Sequence, residues 1–338
     1  MNLTWALALV AGLVLAVVIG HSLWTLRRAA VRRRLAGPQA GAERVDPSLG
    51  AESAAELRPA AVRRAARLDA LIDAIVPLSL ESPVSGEAVI AHLPPTHRAG
   101  SKPFYVEGLD IETGDWLSPA ADRRYSELQV GVQLANRGGA MNEIEYSEFV
   151  QKVQVFADAI GAQPDFPDML DVVARARELD AFASPRDAQL MVTLNCQQVA
   201  WSLGYLQQSA ARHGFVAGAL PGRLVLPSAD DGAPPVLVLS FDAQAALSDD
   251  PEQSALRACT LSLDVPQTPE TAEPFPAWHR AVTGLAADLG ATIADDQGAP
   301  VTLHGFDAIG KDLQQLYRQL ESRDLAAGSP AARRLFSG

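Results

Sequence analysis

From Leu3 to Leu26 the chain is apolar at nearly every position, interrupted only by Thr4, Gly12, Gly20, His21, Ser22 and Thr25. A helix of that length crosses a hydrocarbon core of roughly 30 Å. Trp5 and Trp24 stand near its two ends, where an indole keeps its ring in lipid and its N–H at the wet interface. Arg27, Arg28, Arg32, Arg33 and Arg34 follow at once, and basic residues favour the cytoplasmic flank. The pattern therefore predicts a single-pass anchor with its N-terminus outside and the bulk of the chain inside. No charged residue precedes the run and no small-x-small cleavage pattern follows it, so a retained helix is expected in place of a removable signal peptide.

Beyond the arginines the periodicity fades. Leu35 to about Arg67 is rich in Ala, Pro, Gly and Arg and reads as a tether, with a surface helix over roughly 51–71 as the open alternative. Period-2 alternation then returns, and it returns twice. Cys259, Leu261 and Leu263 alternate with Thr260, Ser262 and Asp264, and 129 positions earlier Val130, Val132 and Leu134 alternate with Gly131 and Gln133. Each strand is followed by a helical stripe, Phe149, Val153, Phe156 and Ile160 in the earlier copy and Trp278, Val282, Leu285 and Leu289 in the later, again 129 positions apart. Both stripes stop at a Gly-Ala pair, Gly161-Ala162 and Gly290-Ala291, where glycine can take the left-handed cap. An opening strand also occurs twice, Val76, Leu78 and Leu80 against Leu190, Val192 and Leu194, at an offset of 114. The expected fold class is α+β: two tandem pseudo-repeats of a mainly antiparallel sheet with helices on one face. The expected segments are an anchor at 1–26, a basic juxtamembrane stretch and linker at 27–67, a first unit at 68–183, a second at 184–327 and a tail at 328–338.

Charge and candidate chemistry narrow the function. The formal net charge is −12, and it is more negative still once the five juxtamembrane arginines are set aside. An acidic globular part repels phosphates, so nucleic acid is not an expected partner, whereas the arginine cluster suits lipid headgroups. Cys196 and Cys259 form no Cys-x-x-Cys or Cys/His grouping, and the histidines are scattered without ligand spacing, so neither a metal nor a cofactor is expected. Gly305 to Lys311 has the outline of a phosphate loop, yet Asp312 replaces the Ser or Thr that would hold magnesium. The stripe Phe306, Ile309, Leu313, Leu316, Tyr317 and Leu320 instead assigns that segment to a core helix. The paired acids Asp230-Asp231, Asp249-Asp250 and Asp295-Asp296 read as turn formers. Nothing specific recommends an enzyme.

The string Ala286 to Gln297, "AADLGATIADDQ", with the preceding "LSLDVP" strand and the closing amphipathic helix, resembles the C-terminal domain of the ZipA family of bacterial division proteins, which bind FtsZ. The resemblance covers roughly Asp187 to Ala327 and extends to the layout of anchor, tether and globular end. It implies a β-α-β-β-β-α-β-α order and a non-enzymatic adaptor in the bacterial inner membrane, N-terminus periplasmic and C-terminal domain cytoplasmic. It also implies that the exposed sheet face receives the C-terminal peptide of FtsZ. Carried over by position, the groove comprises Met191, Thr193, Leu220, Phe241, Ala243 and Ser262. The chain departs from the family at Ser262, where members carry a large aromatic. Three consequences stay open: Phe241 supplies the aromatic, the peptide binds weakly, or the binding role lies in the first unit or with another partner. The alternative function is a membrane-anchored scaffold for a different division or envelope protein.

Overall fold

The period-2 segments become strands and the period-3.6 stripes become helices, each burying one face. The computed structural model describes residues 67–230, 232–247, 255–295, 298–301 and 306–338. The apolar run 3–26 with Trp5 and Trp24, the cluster Arg27, Arg28, Arg32, Arg33 and Arg34, and the linker as far as residue 66 lie outside the described residues. No helix among the described residues is long and apolar enough to cross a membrane.

The first half contains β1 (Asp73–Leu80), β2 (Val84–Ser85), α1 (Gly86–His92), β3 (Arg98–Ala99), β4 (Lys102–Asp110), β5 (Trp116–Leu117) and β6 (Arg124–Gln133). A small hairpin, β7 (Ala135–Asn136) and β8 (Gly139–Ala140), leads into α2 (Glu143–Ile160), β9 (Ala162–Pro164) and α3 (Met169–Ala183). Its antiparallel sheet runs β3-β4-β6-β1-β9, with β2 on β6 and β5 on β4. The second half contains β10 (Gln189–Cys196), α4 (Leu203–Arg212), β11 (Val216–Ala217), β12 (Arg223–Leu226), β13 (Leu237–Ser240) and α5 (Ala243–Ala246). It continues through β14 (Ala258–Asp264), α6 (Pro274–Leu289), β15 (Ala291–Ala294), α7 (Phe306–Glu321) and α8 (Pro330–Leu335). Its sheet, also antiparallel, runs β11-β12-β13-β14-β10-β15.

The internal repeat is a repeat of topology. Strands β4-β6-β1-β9 and β13-β14-β10-β15 are laid out alike, and α2 and α6 occupy the same place in the order. Helix α2 buries Phe149, Val153 and Phe156 with Val76, Val106, Val130 and Val132. Helix α6 buries Trp278, Val282, Leu285 and Leu289 with Val192, Leu194, Leu239 and Leu261. Each such side chain contributes roughly 1.5–3 kcal/mol when removed from water. Both helices end on a left-handed glycine, Gly161 at φ 70° and Gly290 at φ 58°.

The opening strands align differently from the sequence expectation. Pairing with β6 and β14 matches Val76 to Leu194, pairing with β9 and β15 matches it to Val192, and neither matches it to Leu190. The slip is an even number of residues, which moves a strand along its axis without turning its apolar side outward. Pattern alone therefore aligned the faces but not the register.

Two sheets, not one continuous sheet, share a third cluster. Ile72, Ala135 and Ala183 of the first half pack with Leu320, Leu325, Ala331, Ala332, Leu335 and Phe336. The expected tail at 328–338 is thus a buried element. Ser329 caps α8 by accepting the Ala332 amide, and Gln133 Nε2 donates to the Arg334 carbonyl at 2.8 Å. From the second half Gln267 Nε2 donates to the Phe336 carbonyl at 2.8 Å. Arg137 completes the junction, its guanidinium reaching Asp187 and Asp264 at 2.7 Å each.

Candidate partner-binding face

Alternation on β10, β12, β13 and β14 sends Val192, Leu194, Leu224, Leu237, Leu239, Cys259, Leu261 and Leu263 into the core. Their neighbours in sequence form the opposite face of the second sheet. Register places them in two lateral rows. Val216, Val225, Val238, Ser262 and Met191 follow one another across β11, β12, β13, β14 and β10. Beside them Arg223, Ser240, Thr260, Thr193 and Ala294 cross β12, β13, β14, β10 and β15.

The first row is mainly aliphatic and its ends are open, with Val216 52% and Met191 45% exposed. The second is rich in hydroxyls: Thr193 Oγ1 and Thr260 Oγ1 lie 3.4 Å apart. Ser262 sits in the aliphatic row, its hydroxyl donating to the Val238 carbonyl at 3.2 Å. Its small side chain stands between Val238 and Met191 in the row. Arg223, exposed, adds a positive charge at the β12 side.

Of the positions expected to form the groove, Met191, Thr193 and Ser262 come together on this face. Leu220 lies in the turn between β11 and β12, 55% exposed. Ala243 opens α5 beside that turn, because the Gly222 Cα comes so near that a Cβ there would sit 2.9 Å from the Ala243 Cα. Phe241 stands apart. It follows Leu237 and Leu239 in parity and packs against the buried core, while its amide donates to the Gly222 carbonyl at 2.9 Å. Its side chain thus lies on the inner side of the sheet, away from the row that holds Ser262. The residues that sequence reasoning passed over are Val216, Val225, Val238, Arg223, Ser240 and Thr260. Val238 was hidden because "VLVL", residues 236–239, is apolar throughout, so its parity is legible only once pairing is known.

Among the described residues the other candidates for chemistry sit in local structure, while Asp231, Asp249, Asp250, Asp296 and Gly305 lie outside the described residues. Burial pushes the Cys259 thiol up to about 12, so it stays protonated and unreactive. Asp295 shapes its turn, accepting the Ala299 amide at 2.8 Å. His213 Nε2 lies 3.0 Å from Asp288 Oδ2, an α4 to α6 contact that also includes Arg212 at 3.3 Å. Gly310 and Lys311 lie within α7, and among the described residues no group of three or more His, Cys, Asp or Glu side chains is placed to hold a metal ion. At the far end of the face burial pushes the Asp264 carboxyl up, with the Arg137 guanidinium pulling it the other way.

No known family model matches this chain, and no curated protein is significantly similar to it.

Proposed function

We propose that the chain is a non-enzymatic, membrane-anchored division adaptor that holds FtsZ filaments at the bacterial inner membrane by binding the FtsZ C-terminal peptide on the outer face of the second sheet. The observation that carries this reading is that face itself, with Val216, Val225, Val238 and Met191 in one row that Ser262 interrupts, its two ends exposed and Leu220 at its edge. Apolar anchors spaced across a sheet suit the alternate side chains of an extended peptide or one face of a short helix. The β-α-β-β-β-α-β-α order of the second half, with the two-residue β11 and short α5 as additions, supports the ZipA-like reading. The apolar run 3–26 and its arginines supply the anchor and the lipid contact in this proposal, and an anchored array of weak sites gains strength along a filament by avidity. With Ser262 in place of an aromatic anchor, each single contact is expected to be weak.

The test is a fluorescence-anisotropy titration of the FtsZ C-terminal peptide against the full chain in lipid nanodiscs, alongside Met191→Asp and Phe241→Ala. Saturable micromolar binding, weakened at least tenfold by Met191→Asp and little changed by Phe241→Ala in the folded protein, is the expected result. Absence of binding at millimolar peptide would sink the proposal and favour a scaffold for another division or envelope protein. The packing of both halves around one C-terminal element is the feature that fits that second reading.

A further inference from the structure

The two sheets have equivalent outer faces, but the chain treats them differently. On the first sheet that face is formed by Asp73 and Ile75 of β1, Gln129 and Gly131 of β6, and Tyr105 and Glu107 of β4. Residues Arg67 and Leu68 fold back across it. The Glu107 carboxylate, fully buried, accepts two successive backbone amides, from Arg67 and from Leu68, the latter at 3.2 Å. Its other oxygen accepts Gln129 Nε2 at 3.0 Å. The Leu68 side chain lies where Gly131 has none: a Cβ on Gly131 would be 2.4 Å from Leu68 Cδ2. The Arg67 guanidinium stands 5.6 Å from the Tyr105 ring centroid, on which Arg334 also rests at 4.9 Å. Arg334, ion-paired to Asp73, donates to the Arg67 carbonyl.

Five groups of this Arg-Leu dipeptide are met by a side chain or a gap supplied from elsewhere in the fold. Its two amides, its arginine carbonyl and both its side chains have partners, and none of those partners is a strand ladder. A cleft of about 810 Å³ continues beside the segment, lined by Tyr105, Asp324, Ser329 and Arg334 among others. Arg67, Asp69 and Ala70 remain exposed, so one side of the segment faces solvent.

We infer that the outer face of the first sheet is a peptide-binding site which the chain fills with its own residues Arg67–Leu68, and whose ligand class is an extended segment carrying a basic residue followed by a branched aliphatic one. This site is separate from the second-sheet face proposed to bind the division peptide. The segment acts as a tethered ligand, and a competing peptide gains access when it lifts away. Position-by-position specificity follows from the geometry: Tyr105 selects the cation, Glu107 reads the paired amides and Gly131 admits the aliphatic branch.

The probe is a labelled synthetic peptide with the sequence of residues 62–70 of this chain, titrated against the full chain and against its Leu68→Asp variant, in which repulsion from Glu107 releases the segment. The expected result is saturable binding to Leu68→Asp at least tenfold tighter than to the unaltered chain, and loss of that binding when Glu107→Gln is added. A folded Leu68→Asp that fails to bind at millimolar peptide overturns the inference. Should Leu68→Asp not fold, hydrogen exchange on the unaltered chain decides. Exchange of the Arg67 and Leu68 amides well ahead of the β1 amides supports a displaceable segment, and exchange only together with β1 refutes it.

Discussion

Glu145 concentrates several interactions in one side chain. It completes a capping box with Asn142, whose side chain accepts the Ile144 and Glu145 amides at 3.0 Å, while its own carboxylate accepts the Asn142 amide at 3.2 Å. The same carboxylate accepts the Ser101 amide at 2.9 Å and hydroxyl at 2.7 Å, tying α2 to the turn before β4. Burial pushes the carboxyl up, but the Ser101 and Asn142 bonds outweigh it and hold it below the ordinary range. A depressed folded value stabilises above the unfolded value near 4.5 and loses that contribution as pH falls through the folded one. Glu145→Gln is therefore expected to cost about 1–3 kcal/mol at neutral pH, with the gap from the parent narrowing in acid. Urea midpoints at pH 7 and pH 3 check this, and an equal gap at both would mean that charge plays no part. The Asn-x-x-Glu cap, which hydrophobic periodicity does not report, is legible within four residues of sequence. Lys102 is not: its ammonium, buried, donates to Asn136 Oδ1 at 2.7 Å and to the Gly139 carbonyl at 2.6 Å, partners more than thirty residues away.

At the scale of elements, helices α2 and α6 were the most legible part of the chain, because a stripe at 3.6-residue spacing next to a glycine stop is a local signal. Phe149 and Trp278 are both buried, as their places in those stripes require. Each truncated to alanine is expected to destabilise by about 3–5 kcal/mol, since the surrounding strands cannot collapse into the space left. Chemical denaturation of Phe149→Ala and Trp278→Ala measures this directly; a loss below about 1 kcal/mol at either would place that side chain outside the core. Strand register was less legible. The opening strands were matched on their alternation, which repeats every second residue and so fits several registers equally well until cross-strand partners choose one.

For the whole molecule the junction between halves carries the consequence. Residues 328–338, expected as a tail, bury Ala331, Ala332, Leu335 and Phe336. Arg137 donates its amide to the Ser337 carbonyl at 3.1 Å and its guanidinium to two acids of the second half. Phe336→Ala is accordingly expected to cost about 3 kcal/mol although it lies beside the C-terminus. The measurement is an unfolding curve followed by tryptophan fluorescence, and a change within about 0.5 kcal/mol would show that the end is frayed. No periodicity marks so short a helix, and its partners Ile72, Ala135 and Ala183 are distant in the chain, so its docking was invisible before the fold was known.

The α+β class, the paired strand-and-helix units and their glycine caps were determined by the sequence itself, because they arise from periodicity and conformational preference within a few residues. Only tertiary structure decided which sheet faces are covered. Alternation separates two sides of a strand without saying what lies on either, and that depends on contacts between distant segments. Phe241 therefore turned inward, Val238 joined the outer face of the second sheet, and Arg67–Leu68 closed over Glu107 on the first while Met191 and Val216 stay exposed on the second.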